Sequence, residues 1–444
     1  MKLWEKGIAT SKTVEAFTVA DDRTYDVALA PYDVQASMAH AKMLGAQGII
    51  ASAEADALVK ALEAYGEEVS RDGFVIEEEY EDIHSKIEAH LIEKLGDVGK
   101  KIHTARSRND QVLVALQLYS VDQLENIAVK THAFAQILLG LAEQNKAAFM
   151  PGYTHMQVAM PSSFGLWFSA YAETLADDIV GLKTAQHLAN QNPLGSAAGY
   201  GSSFDIDRDA VTRELNFGAT KVNAIAAQMM RGRNERRVVG ALGELAVTLS
   251  KLAGDICMYM GQDFGFFSFP DHITTGSSIM PHKKNPDVFE LLRANANSFQ
   301  ASQLELSMIL TNLSTGYHRD LQLTKPLLMD GFDKLNELLD VFIQVLPEIK
   351  VNDNLADLEK YDYLYSVDTL NQWVSDGMPF REAYRKMAED IANGVYSPNK
   401  NVLHKHLGSK GNLGLDRIGA KLDAALKTGR LRSEEHTSEL QSRL

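Results

Sequence analysis

The chain has 444 residues, enough for two or three packed regions rather than one simple core. Its 44 Lys and Arg against 59 Asp and Glu give a formal charge of −15, which repels phosphate backbones and anionic membrane surfaces and argues against nucleic acid as a partner. A single cysteine, Cys257, rules out an intramolecular disulfide and a thiolate metal cluster, and fits a reducing compartment.

The opening MKLWEKGIAT lacks the apolar stretch of a secretion signal. No apolar run approaches the roughly 18–20 residues that cross a bilayer, so a soluble cytoplasmic protein with no membrane partner is expected. Prolines break helices, and none of the 11 lies between Pro31 and Pro151 or between Pro193 and Pro270. Residues 1–105 are expected to form an N-terminal helical domain. In the following stretch Leu113, Leu116, Leu124, Ile127, Phe134, Leu138 and Leu141 are separated by sums of three and four, which predicts one long helix. Further apolar residues off that stripe, Val112, Leu118, Val129 and Ile137, predict burial on more than one side, as at a bundle centre. Similar long stretches follow at Arg231–Gly261, Val288–Leu313 and Leu327–Leu346, so residues 106–350 read as a central long-helix bundle. Residues 351–431 complete an all-α fold as a smaller C-terminal helical domain. The last stretch, RSEEHTSELQSRL at 432–444, resembles a translated sequencing adapter and is expected to be a non-native tail.

Three segments carry dense polar chemistry. In Thr275–Asp287, TGSSIMPHKKNPD, small flexible residues precede two lysines and an asparagine. Read by composition this is a polar loop entering a helix, with Asp287 favourable to its dipole. It also suits an anion-handling loop, in which Lys283 and Asn285 stabilise developing negative charge beside Ser277. Gly152–Gln157, GYTHMQ, contains a lone histidine, a residue that most often serves as a structural hydrogen-bonding group. His103–Gln111, HTARSRNDQ, is either a charged first turn capped by Ser107 or Asn109, or a binding segment.

Gly276–Pro286 meets every fixed place of GSSxMPxKxNP, and here the chain resembles the fumarase/aspartase superfamily. The resemblance implies that Ser277 is the catalytic base, with Lys283 and Asn285 stabilising a carbanion. It further implies that Thr154 binds a substrate carboxylate and that His155, oriented by Glu290, handles protons. HTxRSRND at 103–110 is similar to the argininosuccinate lyase branch, which carries substrate-binding roles onto Arg108 and Asn109. The spacing of Tyr317, Gln322 and Lys325 in GYHRDLQLTK matches the same branch, as does Ser37 after Asp33-Val34-Gln35-Ala36. Glu81-Asp82-Ile83-His84 through Glu88 also looks like this family, with no role attached. Departures are Leu3–Gly7 in place of LWGGRF, Ala36 where glycine is usual, and His282 where glutamine is frequent.

The resemblance implies β-elimination of fumarate from argininosuccinate, leaving arginine, with no cofactor. It also implies a homotetramer whose sites draw on three subunits. A serine is a poor base at its ordinary acidity, so neighbouring lysine and amide donors must ionise it as the loop closes. The alternatives are another fumarate-releasing lyase, such as adenylosuccinate lyase, or a non-catalytic crystallin-like bundle.

Overall fold

The computed structural model describes residues 11–401 and 404–428, so the suspect tail and the Leu3–Gly7 opening lie outside the described residues. Thirteen α-helices of eight residues or more are present among them. In chain order they are α1 Lys12–Val19, α2 Ala30–Ala46, α3 Ser52–Asp72, α4 Ile83–Leu95, α5 Arg108–Gln144, α6 Phe164–Ala189 and α7 Arg233–Tyr259. The remainder are α8 Asp287–Asn297, α9 Phe299–Leu310, α10 Thr324–Val345, α11 Ser366–Ser375, α12 Phe380–Ala392 and α13 Leu415–Lys427.

The apolar stripe in the first proline gap lies within α5, a helix of 37 residues started by a capping box. Asp110 Oδ1 accepts from the Ser107 amide at 2.9 Å, while Ser107 Oγ accepts from the Asn109 amide at 3.3 Å. The stripe residues from Leu116 to Leu141 pack into the main core, whereas Val114 and Leu118 join a second core with α2, α3 and α4. Burial on two faces follows. Val129 departs from that expectation, since it stands 48% exposed on the bundle surface.

Side-chain pairs set the helix directions. Gln117 meets Asn234 at 2.8 Å and Thr324 meets Glu235 at 3.2 Å, which places the starts of α5, α7 and α10 together. Tyr119 packs on Phe332 and Phe134 on Phe342, so α10 runs parallel to α5. Helix α6 runs the other way: Gln186 bonds the Val121 carbonyl at 2.9 Å, and Trp167 and Tyr171 both donate to Asp255 near the end of α7. Arg236 reaches Ser307, and Ser250 reaches Asn297, so the α8–α9 pair is antiparallel to α7. The Val288–Leu313 stretch is therefore two helices, not one. Ser298 breaks it, its amide and hydroxyl both bonding the Asn295 carbonyl in a tightened turn while Lys334 donates to its oxygen at 2.9 Å.

Gly232 starts α7 with φ +75°, and a Cβ there would meet Leu310 Cδ2 at 2.3 Å, so both conformation and space require glycine. One antiparallel hairpin, β1 Phe149–Thr154 with β2 Gln157–Ser163, leaves the C-terminal end of α5. A small cluster of Leu370, Ala383 and Met387 joins α11 to α12, and α13 returns Ile418 and Leu422 to the main core.

Candidate active site

The motif residues fall into two groups at opposite ends of the bundle. The first surrounds the start of α5. Ser37, on α2, is fully buried and accepts from Arg106 Nη1 at 3.0 Å. Arg106 reaches inward because Ala105 adopts φ +62°, a turn that reverses the chain before the α5 cap. Arg108 donates through Nη1 to Gln111 Oε1 at 2.8 Å, and its Nε lies 3.3 Å from Asp82. Asp110, besides capping α5, accepts from the Gly195 and Ala197 amides at 3.0 and 2.8 Å, so the loop at 195–197 is pinned beside Asn109.

The second binding segment meets the first there. Gln322 donates to the Thr18 and Val19 carbonyls at 3.0 and 3.1 Å, and Arg319 pairs with Glu81 at 3.0 Å. Lys325 is buried between Asp22 at 2.8 Å and Asp26 at 2.5 Å. Burial disfavours its charge, but the Asp26 and Asp22 carboxylates outweigh this and raise its pKa. Its ammonium is thus committed to protein carboxylates in the isolated chain. Tyr317, two residues before Arg319, is exposed.

Electrostatics at this end are polarised. His103, desolvated and facing the charges of Arg106 and Arg108, is pushed down to about 4 and is neutral at physiological pH. Burial raises the Glu88 carboxyl against the lowering pull of Arg108 and Arg106.

At the other end of the bundle, the 275–286 loop closes on itself. Thr275 and Asn285 exchange backbone hydrogen bonds at 3.3 and 2.8 Å, and Asn285 Nδ2 donates to the Gly276 carbonyl at 3.1 Å. Ser277 Oγ accepts from the amides of Met280 at 3.2 Å and Ile279 at 3.4 Å. Two N–H donors aimed at one hydroxyl oxygen favour its anionic form. Of the two lysines, Lys284 is tied to Asp271, while Lys283 is exposed and makes no ion pair among the described residues. A cavity of about 410 Å³ lies between the loop and the end of α7, lined by Cys257, Met260, Gln262, Lys283 and Asn285. A larger one of about 760 Å³, lined by Glu143, Lys146, Tyr365 and Lys410, contains none of the motif residues.

Thr154 and His155 occupy the tip of the hairpin, which the sequence reading did not anticipate. His155 and Met156 form its two-residue turn with φ of +52° and +60°. Both are non-glycine residues in the left-handed region, which costs roughly 1–2 kcal/mol each. Tyr153 anchors the hairpin on Phe264, beyond the end of α7. His155 and Glu290 are both exposed, and no ion pair joins them within the described chain.

The long helix α7 measures the gap between the two groups. Its start holds Glu235 against Thr324, its end reaches Cys257 under the loop, and it is 27 residues long. That is about 40 Å. The structure therefore brings Ser37, Arg108, Asn109, Tyr317, Gln322 and Lys325 into one neighbourhood, and leaves Thr154, His155, Ser277, Lys283, Asn285 and Glu290 at the far end.

A long-helix bundle with polar loops at both ends is also the fold of solved lyases. The structure of an EDDS lyase in complex with formate superposes with a TM-score of 0.77 at 22% identity, covering 98% of this chain and 94% of that one. In sequence, the lyase family profile matches residues 5–300. The argininosuccinate lyase of Bacteroides thetaiotaomicron is 49% identical over 419 residues, 94% of this chain and 94% of the relative. That of Phocaeicola vulgatus is 48% identical over 417 residues, again 94% of each. The chain belongs to this lyase family and, within it, to the argininosuccinate lyases.

Proposed function

We propose that this chain eliminates fumarate from argininosuccinate and releases arginine, acting as a cytoplasmic homotetramer in which each active site draws on several subunits. The observation that carries this reading is the separation of the binding residues from the loop and hairpin by the length of α7. A substrate of about ten ångströms cannot touch both ends of a 40 Å helix, on the order of the span its rise gives. A second copy packed antiparallel sets one end against the other. The α8–α9 pair suits such packing: Leu291 on α8 is 63% exposed, and Leu304 and Met308, one turn apart on α9, are 62% and 68% exposed.

In this reading Ser277 takes the proton from the carbon beside a substrate carboxylate. Lys283, Asn285 and the loop amides hold the resulting doubly charged aci-carboxylate. Charge stabilisation is the difficult step, because that carbon acid is far too weak for a free serine at neutral pH. The C–N bond then breaks with its electron pair on nitrogen, which is protonated and leaves as the arginine guanidinium. Thr154 binds a carboxylate, and His155, oriented by Glu290, relays protons. Ser37, Arg108, Asn109, Tyr317, Gln322 and Lys325 hold the remainder of the substrate.

Fumarate release followed by ultraviolet absorbance tests the assignment, with adenylosuccinate as control. Release from argininosuccinate alone is expected. Release only from adenylosuccinate would move the chain to another branch, and release from neither would favour a non-catalytic bundle.

A further inference from the structure

The stretch beginning Glu81-Asp82-Ile83-His84 has no assigned role, yet it lies between the two binding segments. Asp82 is the N-cap of α4: its Oδ1 accepts from the Ser85 amide and hydroxyl, both at 2.7 Å. Its other oxygen, Oδ2, faces Arg108 Nε at 3.3 Å. Ser85 Oγ accepts from Arg108 Nη2, also at 3.3 Å. The third nitrogen, Nη1, is held by Gln111, whose amide donates in turn to Asp33 at 3.2 and 3.3 Å. Asp33 is backed by fully buried His84, with Nδ1 at 3.1 Å from Oδ1, an ion-pair distance without hydrogen-bond alignment. One residue before Asp82, Glu81 pairs with Arg319 of the second segment.

Every nitrogen of the Arg108 guanidinium thus has a partner within the protein, and two of the three partners come from this one turn. A guanidinium is planar and always charged, so fixing all three nitrogens fixes both its plane and the side left open to a ligand. Burial pushes the Asp82 carboxyl up, but the Arg108 charge, His84 and the Ser85 donors overcome it and hold it down at about 2, so it stays ionised.

We infer that the Asp82–Ser85 turn is a positioning element, which caps α4 with one oxygen and with the other, together with Ser85, sets the orientation in which Arg108 meets the substrate. The inference rests on the substrate-binding role proposed for Arg108. Asp82 and Ser85 do not themselves touch substrate; they act through the guanidinium.

The substitution that separates capping from positioning is Asp82→Asn. Asparagine caps a helix as well as aspartate does, so the α4 start is preserved. Its amide, however, puts an uncharged N–H in place of the charged oxygen that faces Arg108 Nε. Two readouts on the purified full-length chain test the idea. Arg108 modification by phenylglyoxal, followed by peptide mass spectrometry, should speed up roughly tenfold or more, as expected for loss of one charge-assisted contact. In steady-state assays KM for argininosuccinate should rise by a similar order with kcat nearly unchanged, and this penalty should vanish in an Arg108→Lys background. Ser85→Ala should give the same pattern more weakly, and serves if Asp82→Asn fails to fold.

Unchanged labelling in a folded variant would overturn the inference whatever the enzyme acts on. Faster labelling with unaltered KM, or a penalty fully additive with Arg108→Lys, would overturn it as well. If the parent itself releases no fumarate from argininosuccinate, it is the proposed activity that falls, and the labelling still decides whether the turn holds Arg108.

Discussion

The two ends of the bundle are built differently. At the start of α5 the innermost polar side chains are buried and committed: Ser37 is 0% and Lys325 3% exposed, and each has a partner inside the chain. At the far end Thr154, His155, Lys283 and Glu290 stand exposed, and His155 and Lys283 make no ion pair among the described residues. Rigid polar networks keep a binding surface in one shape, whereas exposed, locally closed loops are free to rearrange when something covers them. One end thus reads as a preformed cradle and the other as a reactive edge awaiting a second surface.

The largest expected effect lies on the reactive edge. Ser277→Ala should lower kcat by about 10²–10⁴, the usual contribution of a positioned base, with substrate affinity little changed. Loss of the hydroxyl leaves the amides of Ile279 and Met280 in an exposed loop where water replaces it, so stability should barely move. Turnover within about tenfold of the parent, below that usual contribution, would show that Ser277 is not the base and would erase the contrast in chemistry.

The cradle should respond in the opposite sense, in stability first. Lys325→Met leaves Asp26, itself fully buried, without its cation. Removing one member of a buried pair costs about 3–5 kcal/mol, which denaturant titration would read directly. A loss of activity without loss of stability would instead show that its pairing with Asp22 and Asp26 does not hold the cradle together.

The smallest effect sharpens the comparison by probing a carboxylate that belongs to neither end. Burial raises Asp178 on α6 to about 6, with Glu244 and Asp177 adding to it against a hydrogen bond from Thr248. The folded chain therefore binds this proton more tightly than the unfolded one. Stability from this group is present below about pH 4 and is lost as pH rises toward 6. Asp178→Asn should stabilise the protein above that range by at most about 3 kcal/mol and leave it nearly unchanged at pH 4. Thermal melts across the range would show the two curves converging at low pH; a constant offset would contradict the assignment.

Much of this was legible in the sequence because it depends on local spacing. The stripe from Leu113 to Leu141 has helical period, and its residues are buried along α5. The loop motif, from Gly276 to Pro286, also declares itself by spacing. The hairpin carrying His155 did not, because His-Met lacks the Asn-Gly chemistry that marks a two-residue turn. Nor did the break at Ser298, where one serine back-bonds to Asn295 in an otherwise unbroken helical pattern. The brace on Arg108 was hidden for another reason. Asp82 and Arg108 are 26 positions apart, and only the fold places a cap beside the guanidinium.

The separation of cradle from reactive edge is the central claim, and subunit mixing tests it most directly. An Arg108→Ala chain, altered in the cradle, and a Lys283→Ala chain, altered at the reactive edge, each with little or no activity alone, are dissociated, mixed and reassembled, and fumarate release is followed after exchange is verified. If sites draw their residues from different subunits, some hybrid sites receive both intact side chains and activity returns in part. If each chain carries a complete site of its own, every site keeps one lesion, and the mixture stays as inactive as its components.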